Sequence, residues 1–72
     1  MNQHTIPFHI HAVLARNPGA QVITHLAPYE RKRGYFTVAE VQANDGSLLH
    51  RSSGPSEHTA LLNLDTSISL SY

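Results

Sequence analysis

Residues 5–15 of this chain run Thr5-Ile6-Pro7-Phe8-His9-Ile10-His11-Ala12-Val13-Leu14-Ala15. Ile6, Phe8, Ile10, Ala12 and Leu14 recur at every second position, with Thr5, His9, His11 and Val13 on the other side, the period of a strand with one buried face. Asn17-Pro18-Gly19 then turn the chain, Pro presetting its dihedral and Gly supplying a positive one. Residues 20–27 follow as a second strand with Val22, Thr24 and Leu26 on one face. A loop of Asn17, Pro18 and Gly19 places Leu14 opposite Val22 and Ile10 opposite Leu26, because cross-strand neighbours must share a face.

The same register sets His25 opposite His11, with His9 two residues along, so three imidazoles share one patch. Such a trio has the reach of a three-histidine metal site with an open fourth position. No carboxylate is evident to orient the rings, and histidine is an ordinary residue on a strand surface, so neither a metal nor a cofactor is expected. His9, His11 and His25 are read instead as partner-binding residues. His4, His50 and His58 are read as surface positions.

Beyond the polar connection at 27–34, residues 35–43, YFTVAEVQA, are rich in β-branched and aromatic side chains and read as a third strand. Asn44-Asp45-Gly46 is a hairpin signal leading into a fourth strand at 47–52. Two registers compete there. A two-residue loop opposes Glu40 to Arg51 and Val41 to His50; a three-residue loop opposes Val41 to Leu49. The second is preferred, because it pairs apolar groups and lets Gly46 take the left-handed position of a bulged turn.

After Ser52 the period changes. Ser53-Gly54-Pro55-Ser56-Glu57 combines a small polar cap, an early Pro and a first-turn acid, the marks of a helix start. The helix is expected to reach Leu64, facing Ala60, Leu61 and Leu64 to the sheet, and Asp65 to end it. In the tail, residues 66–72, Ile68, Leu70 and Tyr72 alternate with Ser67, Ser69 and Ser71, as in one more half-buried strand that closes this sheet or extends another chain's edge. The expected fold is α+β: one domain over residues 1–72, an antiparallel sheet of four to five strands with one short helix on one face, in the order β-β-β-β-α-β. The uncovered face, carrying His9, His11, Val13, Ile23 and His25, suits a protein partner or a homodimer.

Composition narrows the function. Seventy-two residues make one domain with a thin core. There is no cysteine, so disulfides and thiolate metal sites are excluded and a reducing, cytoplasmic setting is expected. The opening MNQHTIPFHIHAVL lacks a basic leader and its apolar run is broken by two histidines, so neither a signal peptide nor a membrane span is expected. Five Lys and Arg balance five Asp and Glu, leaving no overall field to hold the chain on nucleic acid or an anionic membrane. No G-x-S-x-G elbow, P-loop or dinucleotide fingerprint is present and the acids are scattered singly, so no enzyme activity is expected.

Residues 29–36, YERKRGYF, gather Arg31, Lys32 and Arg33 between Tyr29, Tyr35 and Phe36. Cations for phosphates beside rings for bases are what single-strand binding requires, which makes weak nucleic-acid binding the alternative function. Three cations against Glu30 are a small footprint, however, and Arg and Tyr are equally the residues of protein hot spots. The leading expectation is a small non-catalytic protein-binding module using Tyr29, Arg31, Lys32, Arg33, Tyr35 and Phe36.

One portion carries a resemblance. Residues 36–64, FTVAEVQANDGSLLHRSSGPSEHTALLNL, run strand, N-D-G turn, strand and a helix opened by G-P-S-E, in a short chain without cysteine. In size and element order this resembles the small α+β anti-CRISPR proteins of phages and mobile elements. The resemblance implies an inhibitor acting in the host cytoplasm, one that binds a CRISPR effector or other nuclease complex and masks its nucleic-acid channel or recruitment surface. Many such inhibitors are acidic mimics of DNA, whereas this chain is neutral, so the implied inhibition does not work by charge mimicry. No functional residue carries over position by position.

Overall fold

A computed structural model describes residues 6–71. His4, Thr5 and Tyr72, placed above at a surface and at strand ends, lie outside the described residues. The elements are α1 (Phe8–Arg16), β1 (Gln21–Pro28), β2 (Tyr35–Gln42), β3 (Leu48–Gly54) and α2 (Glu57–Leu70). The order is therefore α-β-β-β-α, with three antiparallel strands in the order β1-β2-β3. This corrects the expected four to five strands and single helix at both ends of the chain.

At the first end, the expected strand over 5–15 is α1. Ile6, Phe8, Ile10, Ala12 and Leu14 fit a period of two, but Ile6, Ile10, Val13 and Leu14 fit a helical stripe as well, and Val13 separates the two readings. Ile10 and Val13 are buried, Ile6 and Leu14 pack against the core, and Phe8 is 78% exposed. Pro7 stands at the N-cap, where its missing N–H is no loss, and offers no side-chain acceptor. At the far end the Asn17 side chain donates to the Val13 carbonyl at 2.7 Å. The expected pairings of Leu14 with Val22, Ile10 with Leu26 and His11 with His25 do not exist; β1 pairs with β2, Val22 opposite Val41 and Leu26 opposite Thr37.

At the other end, Asp65 does not stop the second helix, and among the described residues no strand follows it. Ser56 caps α2 by accepting from the Thr59 N–H at 3.2 Å, with Glu57 in the first turn. Ala60, Leu64 and Ile68 then form one stripe, all fully buried, so Ile68 belongs to a helical row four residues on from Leu64. Leu70, its neighbour in the alternating pattern, is 82% exposed.

The preferred β2–β3 register is also corrected. Glu40 opposes Arg51 and Val41 opposes His50, and an irregularity between Val41 and Gln42 lets Gln42 meet Leu48. Next to the turn the expected three-residue loop holds, with Ala43 bonded to Ser47, Gln42 opposite Leu48 and Gly46 at a positive φ of 88°. The irregularity between Val41 and Gln42, not expected, then shifts the pairing by one, so that the Glu40–Arg51 ion pair forms, its Oε2 and Nε 3.5 Å apart, while Leu49 stays exposed.

The core is one layer between helices and sheet. Ile10 and Val13 of α1, Ala60, Leu64 and Ile68 of α2, and Ala39 and Val41 of β2 form a single cluster. Each fully buried Ile, Leu or Val side chain there contributes roughly 1.5–3 kcal/mol of hydrophobic stabilisation. Gly54 lets α2 approach β3: a Cβ on it would stand 2.9 Å from the Ala60 nitrogen. Among the described residues no helix covers the opposite sheet face, which carries Ile23, His25, Phe36, Val38, Glu40 and Arg51 by alternation from the strand register. That face is not bare, since Val38, flanked by His25 and Ser53, is fully buried.

Candidate protein interface

The basic and aromatic stretch forms the tip joining β1 to β2. Tyr29 N–H donates to the Gly34 carbonyl at 3.2 Å, so the tip continues the ladder beyond Pro28 and Tyr35 and leaves Glu30 to Arg33 as the turn itself. Arg31, Lys32, Arg33 and Tyr35 are exposed. Tyr29 and Phe36 lie together, ring centroids 5.3 Å apart and tilted by 42°, with the Lys32 ammonium 4.3 Å from the Tyr29 centroid.

This aromatic pair is a ridge between two depressions. One, of about 320 Å³, is lined by Tyr29, Phe36, Ser53, Gly54 and Pro55. The other, of about 520 Å³, is lined by Pro28, Tyr29, Glu30, Arg31, Lys32 and Phe36. The first brings the strand-to-helix connection of β3 and α2 alongside the tip, so Ser53, Gly54 and Pro55 join a surface for which sequence reasoning named only residues 29–36. The signal was available in the register: extending the β2–β3 pairing by one step sets Pro55 across from Phe36. Tyr35 falls on the helix-side face by alternation and stands apart from the Tyr29–Phe36 pair.

The three histidines are not brought together. His25 lies on the uncovered sheet face, its Nε2 3.5 Å from Glu40 Oε2. Glu40 also receives Arg51 at 3.5 Å and the Gln42 amide on Oε1 at 3.1 Å, so an imidazole, a guanidinium and an amide surround one carboxylate at the middle of that face. His9 and His11 stand on α1, on the helical side. His11 is exposed, and His9 meets Asp65 of α2, Nδ1 to Oδ2 3.1 Å. Among the described residues no group of three or more His, Cys, Asp and Glu is placed to hold a metal ion.

Asp65 does more than meet His9. Its Oδ1 accepts from the backbone N–H groups of His9 at 2.7 Å and Ile10 at 3.1 Å, two donors of the first turn of α1 that no side chain of α1 serves. Burial pushes the Asp65 carboxyl up, but the hydrogen bond from the His9 ring, the two backbone N–H groups and the His9 charge outweigh it and hold the group below the ordinary carboxylate value. Asp45, in the β2–β3 turn, is also lowered, by hydrogen bonds from the Ser47 hydroxyl and backbone N–H.

Among the described residues no helix is long and apolar enough to cross a membrane. No family model, curated protein or solved structure matches the chain.

Proposed function

We propose that this chain is a small non-catalytic protein-binding module that docks through the β1–β2 tip. The observation that carries this reading is the Tyr29–Phe36 ridge between two apolar depressions, bordered by the exposed cations Arg31, Lys32 and Arg33. Aromatic anchors beside Arg, with grooves to receive a partner's side chains, have the composition of an interface hot spot. The resemblance of residues 36–64 to anti-CRISPR proteins supports an inhibitor of a nucleic-acid-processing complex as the form this takes.

Nucleic-acid binding is less favoured by the same geometry. A base needs an open ring face, and Tyr29 already has Lys32 over its ring and Phe36 against it, which leaves the exposed Tyr35, on the other face of the sheet, as a platform apart from that pair. Affinity capture from the native cell, with wild type beside an Arg31→Ala, Lys32→Ala, Arg33→Ala, Phe36→Ala variant of intact circular dichroism, tests the proposal. A protein retained by wild type after nuclease treatment and lost by the variant supports it. Material retained only through nucleic acid, or equal retention by both chains, contradicts it.

A further inference from the structure

The sheet has two edges, and they are built differently. β3 carries Arg51, lies beside a bulge at Gln42 and Leu48, and packs under α2. β1, QVITHLAP, has no Lys, Arg, Asp or Glu, no irregularity in its pairing, and Pro only at its last position. Charges, bulges and interior prolines keep an edge from pairing with another strand. β1 has none of them.

The outward groups of β1 follow from the tip. Because Tyr29 N–H is bonded to Gly34 across the ladder, the alternating pattern of an antiparallel pair turns Ala27, His25 and Ile23 toward β2 and turns Val22, Thr24 and Leu26 outward. Pro28 falls in the outward set, where its lack of an N–H breaks no ladder bond. Leu26 is 67% exposed.

We propose that β1 pairs antiparallel with β1 of a second copy of this chain, about a two-fold axis at Thr24, so that two sheets become one. In that register Thr24 faces Thr24 and Val22 faces Leu26, and every outward donor meets an acceptor. Shifting the axis to His25 would oppose Val22 to Pro28, which has no N–H to give. Shifting it to Ile23 would oppose Leu26 to Ala20, whose N–H is already bonded to Asn17 at 2.9 Å. The chosen register also lays each exposed Leu26 against the other copy's Val22. β1 itself carries no Lys, Arg, Asp or Glu and the chain's formal charge is zero, while the Glu57 carboxylate beside the axis is held by the Thr24 hydroxyl, which donates to its Oε1 at 3.0 Å. The pairing leaves both tips free, so the dimer would present the proposed docking surface twice.

Sedimentation equilibrium and residue-resolved amide exchange, each from micromolar to millimolar chain, test this. The expected result is a dimer mass at high concentration, with the amides of Val22, Thr24 and Leu26 slowing by about tenfold or more while His25 and Ala27 hold steady. Leu26→Lys, folded by circular dichroism, should return the chain to a monomer; should that variant not fold, the wild-type exchange series decides alone. A monomer at millimolar concentration overturns the proposal. So does a dimer whose Val22, Thr24 and Leu26 amides exchange as fast as at low concentration, since its contact would then lie elsewhere.

Discussion

Asp65 of α2 caps α1 through His9: its Oδ1 accepts the His9 N–H at 2.7 Å and its Oδ2 stands 3.1 Å from the His9 ring. A helix of nine residues is too short to persist alone in water. Its first turn is completed by a side chain from the other end of the chain, which ties the fold's two termini into one unit.

Replacing that carboxylate should therefore loosen α1. Asp65→Ala leaves the His9 and Ile10 N–H groups without their acceptor and is expected to cost about 1–2 kcal/mol in urea unfolding. Asp65→Asn, which keeps an acceptor oxygen but not the charge, should cost less. Equal stability of Asp65→Ala and wild type would refute the capping role.

Acid should act through the same group. Asp65 in the folded chain lies below its ordinary value of 3.8, so its contribution is fully present above that value and is lost as pH falls through it toward the folded pKa. Urea midpoints measured from neutral pH into the acid range should fall more steeply for wild type than for Asp65→Asn. Parallel curves would be the contrary result.

The close approach of α2 to β3 gives a second test of packing. Gly54→Ala places a methyl 2.9 Å from both the Ala60 nitrogen and the Thr59 methyl carbon, and the backbone atom cannot rotate away. A loss of about 1–3 kcal/mol is expected by thermal or urea unfolding. A neutral outcome would mean that α2 starts farther from the sheet.

The tail offers a direct contrast between its two readings. Ile68 is fully buried and Leu70 is 82% exposed, so Ile68→Ala should cost about 2–4 kcal/mol and Leu70→Ala under about 0.5. A half-buried strand would make the two losses comparable.

What was legible follows from how many periods each segment satisfies. β2 is legible within a residue of its bounds, because Tyr35, Phe36, Thr37, Val38 and Val41 are aromatic or β-branched and turn residues stand on either side. Its loops were legible too, with Gly46 at positive φ as expected. The two ends misled for one shared reason: short stretches rich in Ile, Leu and Ser or His fit both a period of two and a period near four. Val13 and Ile68 settle them through contacts with each other's helix layer, and those contacts are far apart in sequence. Asp65 misled because an acid after an apolar run reads as a helix end, when its purpose lies on another helix. At the tip, residues 29–36 were found by composition, whereas Ser53, Gly54 and Pro55 needed the β2–β3 register, and the apolar pairing of Val41 with Leu49 was preferred over the charge pairing of Glu40 with Arg51 that the chain adopts.

The tip, the β1 edge and the uncovered face all depend on β1 pairing with β2 while residues 8–16 are helical. Proton NMR tests this most directly, because outward-facing Thr24 makes a close, non-hydrogen-bonded pair with Ala39, whose Cα atoms should stand about 4.5 Å apart. The expected result is a strong Hα–Hα contact between Thr24 and Ala39, with helical contacts three and four residues apart through Ile10 and Val13. Hα contacts linking β1 to residues 10–14 instead would contradict it.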